Sequence, residues 1–229
     1  MKQATTKKLF FRKWPIKIEC YVRGSYRIHR SGPEKVIEWI DSGTKSDING
    51  WSMFDRYTDK PALKEFAKKL VPFKGMDHQV RAENGHYNIF VKDKALRDKL
   101  VKELQPWIMC VTEPETEAEW KFLMDSGHKK VLCNELPYGK FRYKLIFNEN
   151  YESTAKLRCL AWIDKYPDTM KISGQTVRWL GGYYAYMQNP FVYIKDEKTL
   201  SMVLLYVSGN HKKVEEFILK DSINTQCLH

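Results

Sequence analysis

Apolar and polar side chains alternate between residues 16 and 22, which predicts a β-strand with one buried face. Further along, apolar residues spaced three and four positions apart follow Pro33 and Pro61. Proline is favoured in the first turn of a helix, so this spacing predicts one helix after each proline. The chain is therefore expected to begin with a strand followed by two helices.

A β-hairpin is predicted next, because Asn84-Gly85 lies between two alternating segments and this dipeptide favours the turn that joins paired strands. Residues 96–104 have helical spacing, and the apolar run 107–111 is typical of a buried strand. Residues 14–112 thus follow the order β-α-(α)-β-β-α-β. This is the ferredoxin-like arrangement with one inserted helical segment.

The same order is predicted for residues 139–229, which begin with an alternating strand and a helix. Met170, Ile172 and the run Thr176 to Leu180 precede Gly181-Gly182, and residues 191–194 have the pattern of a strand. An aromatic hairpin is predicted between them. Residues 214–219 are compatible with either a helix or a strand. By analogy with the first half, they are assigned to a strand.

Two short phrases occur at equivalent places in the two halves. EWID at residues 38–41 matches AWID at residues 161–164, in each case at the end of the first helix. FVKD at residues 90–93 matches YIKD at residues 193–196, between the third strand and its helix. We therefore predict an α+β protein made of two tandem ferredoxin-like (RRM-like) βαββαβ halves, the first with an inserted helical segment.

These elements divide the chain into four segments. Residues 1–13 form a basic N-terminal arm, and residues 14–112 form the first ferredoxin-like half. Residues 113–138 form an acidic connector with a short helix, since they begin with the stretch EPETEAE. Residues 139–229 form the second ferredoxin-like half.

The chain is strongly basic, with 39 Lys and Arg against 28 Asp and Glu, a formal net charge of +11 and a sequence pI near 9.3. Within residues 1–30 Glu19 is the one acidic side chain. Nine side chains there are basic, namely Lys2, Lys7, Lys8, Arg12, Lys13, Lys17, Arg23, Arg27 and Arg30. A high pI with clustered cations is typical of proteins that bind phosphates, so the composition favours a polyanionic partner.

No CxxC pair occurs among the five cysteines, which are Cys20, Cys110, Cys133, Cys159 and Cys227. Their spacing argues against a disulfide framework or a zinc site. The sequence contains no apolar run of the roughly 20 residues that cross a membrane, and its N-terminus lacks the pattern of a secretory signal. We expect a protein of a reducing compartment, the cytoplasm or, in a host that has one, the nucleus, without cofactor, metal or membrane partner.

Cationic and aromatic side chains are interleaved near the first strand of each half. We predict that they bind nucleic acid, because rings stack on bases while cations contact phosphates. The candidate residues are Lys7, Lys8, Arg12, Lys13, Tyr21, Arg23, Tyr26, Arg27, Arg30, Lys140, Arg142, Lys144, Arg178 and Tyr184. Alternate residues of a strand share a face, so part of this set is expected to point into the core.

Motifs of the common enzyme classes are absent from the sequence, including the phosphate loop, the Rossmann glycine fingerprint, the GxSxG elbow and the HExxH helix. Asp41, Asp47, Asp55 and Asp59 lie in one segment, but their spacing lacks the glycine and the terminal Glu of a calcium loop. We interpret these carboxylates as solvated groups at helix ends.

His29 is the one catalytic candidate. It lies among cations and phenols between the first strand and the first helix, where an imidazole has the chemistry to deprotonate a ribose 2′-hydroxyl. In broad layout the chain resembles the Cas6-type CRISPR RNA endonucleases, which also carry tandem ferredoxin-like halves. Their glycine-rich loop near the C-terminus is not recognisable here. The alternative is that His29 is an ordinary polar loop residue.

Three functions are compatible with these patterns. The leading hypothesis is a non-enzymatic protein that binds RNA or single-stranded DNA through the basic arm and the open sheet faces. The second is a structural or assembly protein of a phage, a virus or a regulatory complex that docks on an acidic partner. The third is a metal-independent endoribonuclease that uses His29.

Overall fold

The computed structural model describes residues 2–43, 58–126 and 129–226, and it shows an α+β protein with two five-stranded mixed sheets. Nine α-helices lie in the described part of the chain. The chain divides into two compact units, which we call unit 1 (Met1–Trp120) and unit 2 (Lys121–His229). Each unit contains one of the sheets.

Unit 1 contains a sheet and the helices that pack on it. The strands are β1 (Lys2–Thr5), β2 (Ile16–Tyr21), β3 (His78–Glu83), β4 (His86–Val91) and β5 (Ile108–Glu113). The helices are α1 (Tyr26–Ser31), α2 (Pro33–Ser42), α3 (Lys60–Leu70) and α4 (Lys94–Leu104), with single 3-10 turns at Val71–Phe73 and Gln105–Trp107. Helix α5 (Glu117–Ser126) contains the boundary between the units.

The strands of unit 1 are arranged in the order β1-β5-β2-β4-β3. Strand β1 runs parallel to β5, and the other neighbours are antiparallel. Alternate residues of β2, including Ile16 and Ile18, are fully buried in the core that the sheet shares with its helices, where Leu63 and Phe66 of α3 also pack. The period-2 pattern of the sequence therefore marks the side of the sheet that the helices cover.

Unit 2 repeats this order of strands. The strands are β6 (Lys130–Cys133), β7 (Tyr143–Phe147), β8 (Met170–Ile172), β9 (Phe191–Ile194) and β10 (His211–Leu219), and they lie in the order β6-β10-β7-β9-β8. The helices are α6 (Ser153–Ile163), α7 (Gly174–Leu180), α8 (Glu197–Val207) and α9 (Lys220–Gln226), with a 3-10 turn at Pro137–Gly139. Strand β6 is parallel to β10, as β1 is to β5.

The two sheets are consistent with tandem βαββαβ-like units, each with an additional parallel strand at one edge. Those edge strands lie in the two segments predicted to fall outside the ferredoxin-like halves. Lys2–Thr5, in the basic N-terminal arm, is paired with β5, and Lys130–Cys133, in the acidic connector, is paired with β10. Residues 214–219 are confirmed as a strand, since they lie within β10.

The repeated phrases correspond to the same structural feature in both units. Asp93 ends the first FVKD-like phrase and caps α4, because its carboxylate accepts a hydrogen bond from the Ala95 backbone N–H at 2.8 Å. Asp196 ends the second phrase and caps α8 through the Thr199 N–H, also at 2.8 Å. A carboxylate at this position satisfies a backbone donor at the start of a helix.

Two local predictions are wrong. Residues 181–190 contain no strand, so the aromatic hairpin predicted before β9 does not form. The run Thr176 to Leu180 belongs to helix α7, which is capped by the Ser173 hydroxyl, an acceptor for the Thr176 N–H at 3.1 Å. Thr176, Trp179 and Leu180 are buried at helical spacing. His29 lies between β2 and α2, as predicted, but it belongs to the short helix α1 and is not a loop residue.

The hairpin at Asn84-Gly85 is confirmed, with φ of +51° and +83° at its two turn residues.

A Cβ atom on Gly85 would lie 3.0 Å from the Tyr21 ring, whereas one on Gly75, whose φ is +82°, would contact nothing within 4 Å. We expect Gly75→Ala to lower the free energy of unfolding of unit 1 by about 1 to 2 kcal/mol, the cost of a left-handed alanine. Gly85→Ala is expected to lower the free energy of unfolding further, because its Cβ would also clash with the Tyr21 ring. Urea denaturation of the two variants measures the difference. Equal losses of stability in both variants would contradict the close contact with Tyr21.

Candidate functional site

The helices of the described residues pack on one face of each sheet, and the two units differ in what lies on the other face. In unit 1 the Phe90 ring of β4 is covered by rings of the preceding N-terminal segment, with centroid distances of 5.5 Å to Phe10 and 4.8 Å to Phe11. The Trp14 Nε1–H donates to the Gln79 side-chain oxygen at 2.8 Å. The segment that includes the predicted basic arm therefore folds over this face.

The rest of the unit 1 face carries paired charges. Lys17 Nζ lies 2.8 Å from a Glu19 carboxylate oxygen, and this hydrogen bond lowers the pKa of Glu19. Arg81 forms an ion pair with Glu83 at 2.9 Å. Neighbouring acids already balance these cations, so the face offers little net positive charge to a phosphate.

In unit 2 the corresponding face is aromatic. Val192 and Ile194 of β9 are fully buried beneath the helices, so Phe191 and Tyr193 point to the other side of the sheet. Four rings surround Tyr193, with centroid distances of 5.0 Å to Phe191, 5.8 Å to Tyr138, 6.1 Å to Phe217 and 6.2 Å to Phe141. Tyr138 is 64% exposed.

Three lysines border these rings. Lys171 Nζ lies 4.0 Å from the Tyr138 ring centroid, Lys144 Nζ lies 4.1 Å from that of Phe191, and Lys140 Nζ lies 5.2 Å from that of Phe141. Lys140 and Lys171 are exposed and form no ion pair with a carboxylate in residues 2–43, 58–126 and 129–226. We name the following eight residues, of which Phe141 is buried beneath the others, the ring–lysine face: Tyr138, Lys140, Phe141, Lys144, Lys171, Phe191, Tyr193 and Phe217.

The ring–lysine face is electrostatically suited to an anion. Burial raises the pKa of Tyr193, and the neighbouring Tyr138 and the Glu215 carboxylate act in the same direction, so this phenol stays neutral at physiological pH. Glu215 is buried next to Lys144 in the register of β10 with β7, and it is paired with Lys213 at 2.6 Å. Positive charge on the face comes from lysine side chains whose ammonium groups lie over ring faces. The arrangement can therefore stack a planar group and contact its phosphates at the same time.

Four of the predicted residues meet elsewhere, in unit 1. Tyr21, Arg23, Tyr26 and Arg30 line a cleft of about 670 Å³ between the β2–α1 turn and the β3–β4 hairpin. The sequence places them on one strand end, one turn and one short helix, and the fold brings these elements together. His29 is exposed but is not among the described residues that line this cleft.

The remaining predicted residues are dispersed. Lys7, Lys8 and Arg12 are exposed on the segment between β1 and β2, and Lys13 is paired with Asp77 at 3.3 Å. Arg27 is buried, with its guanidinium 4.5 Å from the Trp39 ring centroid.

Two predicted cations of unit 2 contact other side chains. Arg142 forms an ion pair with Glu216 at 2.9 Å, and Arg178 donates a hydrogen bond to the Tyr184 hydroxyl at 3.4 Å. Both arginines and Tyr184 are exposed. Of the predicted residues in this unit, Lys140 and Lys144 therefore belong to the ring–lysine face, whereas Arg142, Arg178 and Tyr184 do not.

Six residues of the ring–lysine face were missed as site candidates, namely Tyr138, Phe141, Lys171, Phe191, Tyr193 and Phe217. A usable signal was present in the strand FVYI. Its alternation places Phe191 and Tyr193 on one side and two aliphatic residues on the other. Tyr138 and Lys171 belong to distant segments of the chain, so no pattern in the sequence predicts that their side chains are in contact.

Thiol and metal chemistry find no support in the described residues. No three His, Cys, Asp or Glu side chains there are grouped so that they could hold a metal ion. Burial raises the pKa of Cys20 to about 12 and that of Cys159 to about 11, so neither forms the reactive thiolate at neutral pH. Cys227, His128, His229, Gly127, Asp47 and Asp55 lie outside the described residues.

The other two aspartates of the sequence analysis have structural contacts. Asp59 caps α3 by accepting from the Ala62 N–H at 3.1 Å, and Asp41 is paired with Lys64.

In the described ranges of the chain, no helix is both long enough and apolar enough to span a membrane. Comparison with protein-family models, with curated proteins and with solved structures finds no match.

Proposed function

We propose that the protein binds single-stranded nucleic acid, RNA or DNA, on the ring–lysine face of unit 2. One observation carries this proposal: Phe191 and Tyr193 lie two residues apart on β9, half-buried on the sheet face that the described helices do not cover, and lysine ammonium groups lie over Phe191 and the neighbouring Tyr138 ring. Lys144 is 4.1 Å from the Phe191 centroid, and Lys171 is adjacent to Tyr193 in the register of β8 with β9.

A single nucleic-acid strand presents bases and phosphates that are complementary to the rings and the ammonium groups of this face. Every base has a planar face that stacks on an aromatic ring, and each stacked base contributes about 1 to 3 kcal/mol without reading the sequence. Phosphates follow the bases at regular intervals, and exposed lysines neutralise them with release of counterions. A duplex keeps its bases stacked on each other, so we expect this face to prefer single strands.

The strand order supports a ferredoxin-like, RRM-like assignment for each unit. Without the edge strand β6, unit 2 has the order β10-β7-β9-β8, in which the first and third strands of the βαββαβ unit lie in the centre. RRM modules stack bases on aromatic residues of these two central strands. In unit 2 the third strand carries Phe191 and Tyr193, and the first carries Lys144.

The test is binding of a labelled 20-nucleotide RNA and the matching DNA, single-stranded and duplex, between 50 and 200 mM salt. We expect single strands to bind more tightly than duplexes, with an affinity that falls as salt rises by about 0.7 logarithmic units per phosphate contacted for each tenfold rise in salt. Failure to bind any single strand at low salt overturns the proposal.

Lys171→Gln gives a sharper version of the same test. Removing one phosphate contact is expected to reduce the slope of log affinity against log salt by about 0.7. Lys165→Gln is the matched control, because Lys165 is also exposed but lies beyond α6, outside the ring–lysine face. An equal reduction in both variants would mean that net charge alone, and not this face, governs binding.

A further inference from the structure

Unit 1 contains a second concave surface whose chemistry the proposed function does not use. The cleft of about 670 Å³ is bounded by Tyr21, Arg23, Tyr26 and Arg30 on one side and by Glu83 and Asn84 of the hairpin on the other. Its volume lies within the range of about 300 to 1,000 Å³ in which proteins bind whole small molecules. Tyr21 and Arg23 also line an adjoining cleft of about 370 Å³.

The cleft is built by contacts between its two walls. The Val22 N–H donates to the Gly85 carbonyl at 2.8 Å, and the Ser25 hydroxyl donates to the same carbonyl at 3.3 Å. The Tyr21 ring packs edge-on against His86 at a centroid distance of 5.3 Å and lies close to the Cα of Gly85. The β2–α1 turn and the hairpin are therefore joined, and Tyr21 is held at the edge of the cleft.

The charge of the cleft is positive. Arg23 and Arg30 are exposed, and neither forms an ion pair with a carboxylate in the described parts of the chain. Among the described residues that line the cleft, Glu83 is the one acid, and it is already paired with Arg81 at 2.9 Å. Two guanidinium groups thus face a concave surface, and this group is well matched to the oxygens of a phosphate.

We propose that this cleft binds a nucleoside monophosphate group, with Arg23 and Arg30 contacting the phosphate and the Tyr21 and Tyr26 rings flanking the base. The rings distinguish such a ligand from inorganic phosphate, and the arginines distinguish it from an uncharged nucleoside. The group has two sources, a free mononucleotide or the phosphorylated 5′ end of a strand. The site is separate from the ring–lysine face, which belongs to unit 2.

The experiment uses the full chain carrying Phe191→Leu and Tyr193→Leu, so that binding of strands by unit 2 does not mask binding by the cleft. Calorimetry compares uridine 5′-monophosphate with uridine and with inorganic phosphate. We expect the monophosphate to bind at least about tenfold more tightly than either, and Arg23→Gln or Arg30→Gln to weaken it at least about tenfold, the usual effect of losing a charge-assisted hydrogen bond.

Lys99→Gln is the control for the change in charge, since Lys99 is exposed on α4 and does not line the cleft. Thermal unfolding verifies that each variant is folded. The proposal is overturned if the protein binds uridine and uridine 5′-monophosphate with equal affinity. It is also overturned if Arg23→Gln and Arg30→Gln change the affinity for the monophosphate no more than Lys99→Gln does. Tyr21→Leu is expected to weaken the monophosphate while leaving the affinity for inorganic phosphate unchanged.

Oligonucleotides with a 5′-phosphate and a 5′-hydroxyl identify the source of the group. Tighter binding of the phosphorylated strand than of the free monophosphate, lost in Arg23→Gln, assigns the cleft to strand ends. Equal or weaker binding of the strand assigns it to free nucleotides. These results depend only on unit 1. A failure of the cleft to bind the monophosphate is therefore distinguishable from a failure of the ring–lysine face to bind single strands.

Discussion

Replacing Phe191 and Tyr193 together with leucine is expected to weaken binding of a single-stranded oligonucleotide by about 30-fold or more. Each ring is proposed to stack on one base, and each stack contributes about 1 to 3 kcal/mol, so losing two costs at least about 2 kcal/mol. Leucine keeps an apolar side chain over the half-buried sheet, which limits the effect on folding. Fluorescence anisotropy with the labelled 20-nucleotide RNA measures the change.

Tyr166→Leu is the matched control for this experiment. Tyr166 is 41% exposed and contacts Trp162, away from the ring–lysine face. We expect its substitution to leave the affinity unchanged. The salt dependence of the double variant should also stay close to that of the unmodified protein, because no cation has been removed. Unchanged affinity in the double variant would exclude the ring–lysine face as the binding site.

Leu145→Ala is expected to lower the free energy of unfolding of unit 2 by about 2 to 5 kcal/mol. Leu145 lies on β7, a central strand, and its side chain is fully buried in a core with Trp179, Val192 and Val203. Alanine leaves a cavity there, and a domain of this size has a total stability of only about 5 to 15 kcal/mol. Denaturation in urea followed by hydrogen exchange measures the loss in unit 2.

Leu205→Ala makes the same chemical change on the surface. Leu205 is 82% exposed on α8, so its truncation should alter the free energy of unfolding by no more than about 0.5 kcal/mol. The two variants together separate burial from residue type. If they destabilise unit 2 equally, the assignment of Leu145 to the core is incorrect.

The duplicated architecture carries different surfaces at equivalent positions. Phe90 in unit 1 and Tyr193 in unit 2 occupy the same place in the matching FVKD and YIKD phrases, and both point away from the helices. In each unit the segment between the edge strand and the first central strand places rings against this residue. In unit 1 the rest of this face carries paired charges, whereas in unit 2 Lys140, Lys144 and Lys171 border the rings, and Lys140 and Lys171 are exposed.

Local patterns in the sequence were sufficient wherever neighbouring residues determine the structure. The alternation in β2 follows from one covered sheet face, and Asn84-Gly85 forms the hairpin because both residues adopt positive φ. Asp93 and Asp196 lie in repeated phrases because each caps the helix that follows it. These features depend on a few consecutive residues, so they are visible without knowledge of the fold.

Long-range pairing decided the rest. Thr5 pairs with Glu113 and Cys133 with Leu219, and nothing in these short segments indicates that they are the edge strands of sheets. The run Thr176 to Leu180 has strand-like composition, but burial of Trp179 against Phe147 favours a helix. The sequence alone shows that the chain is basic and rich in aromatic residues. Which rings are covered and which lysines lack an acidic partner depends on contacts between distant segments, and only the tertiary structure brings those together.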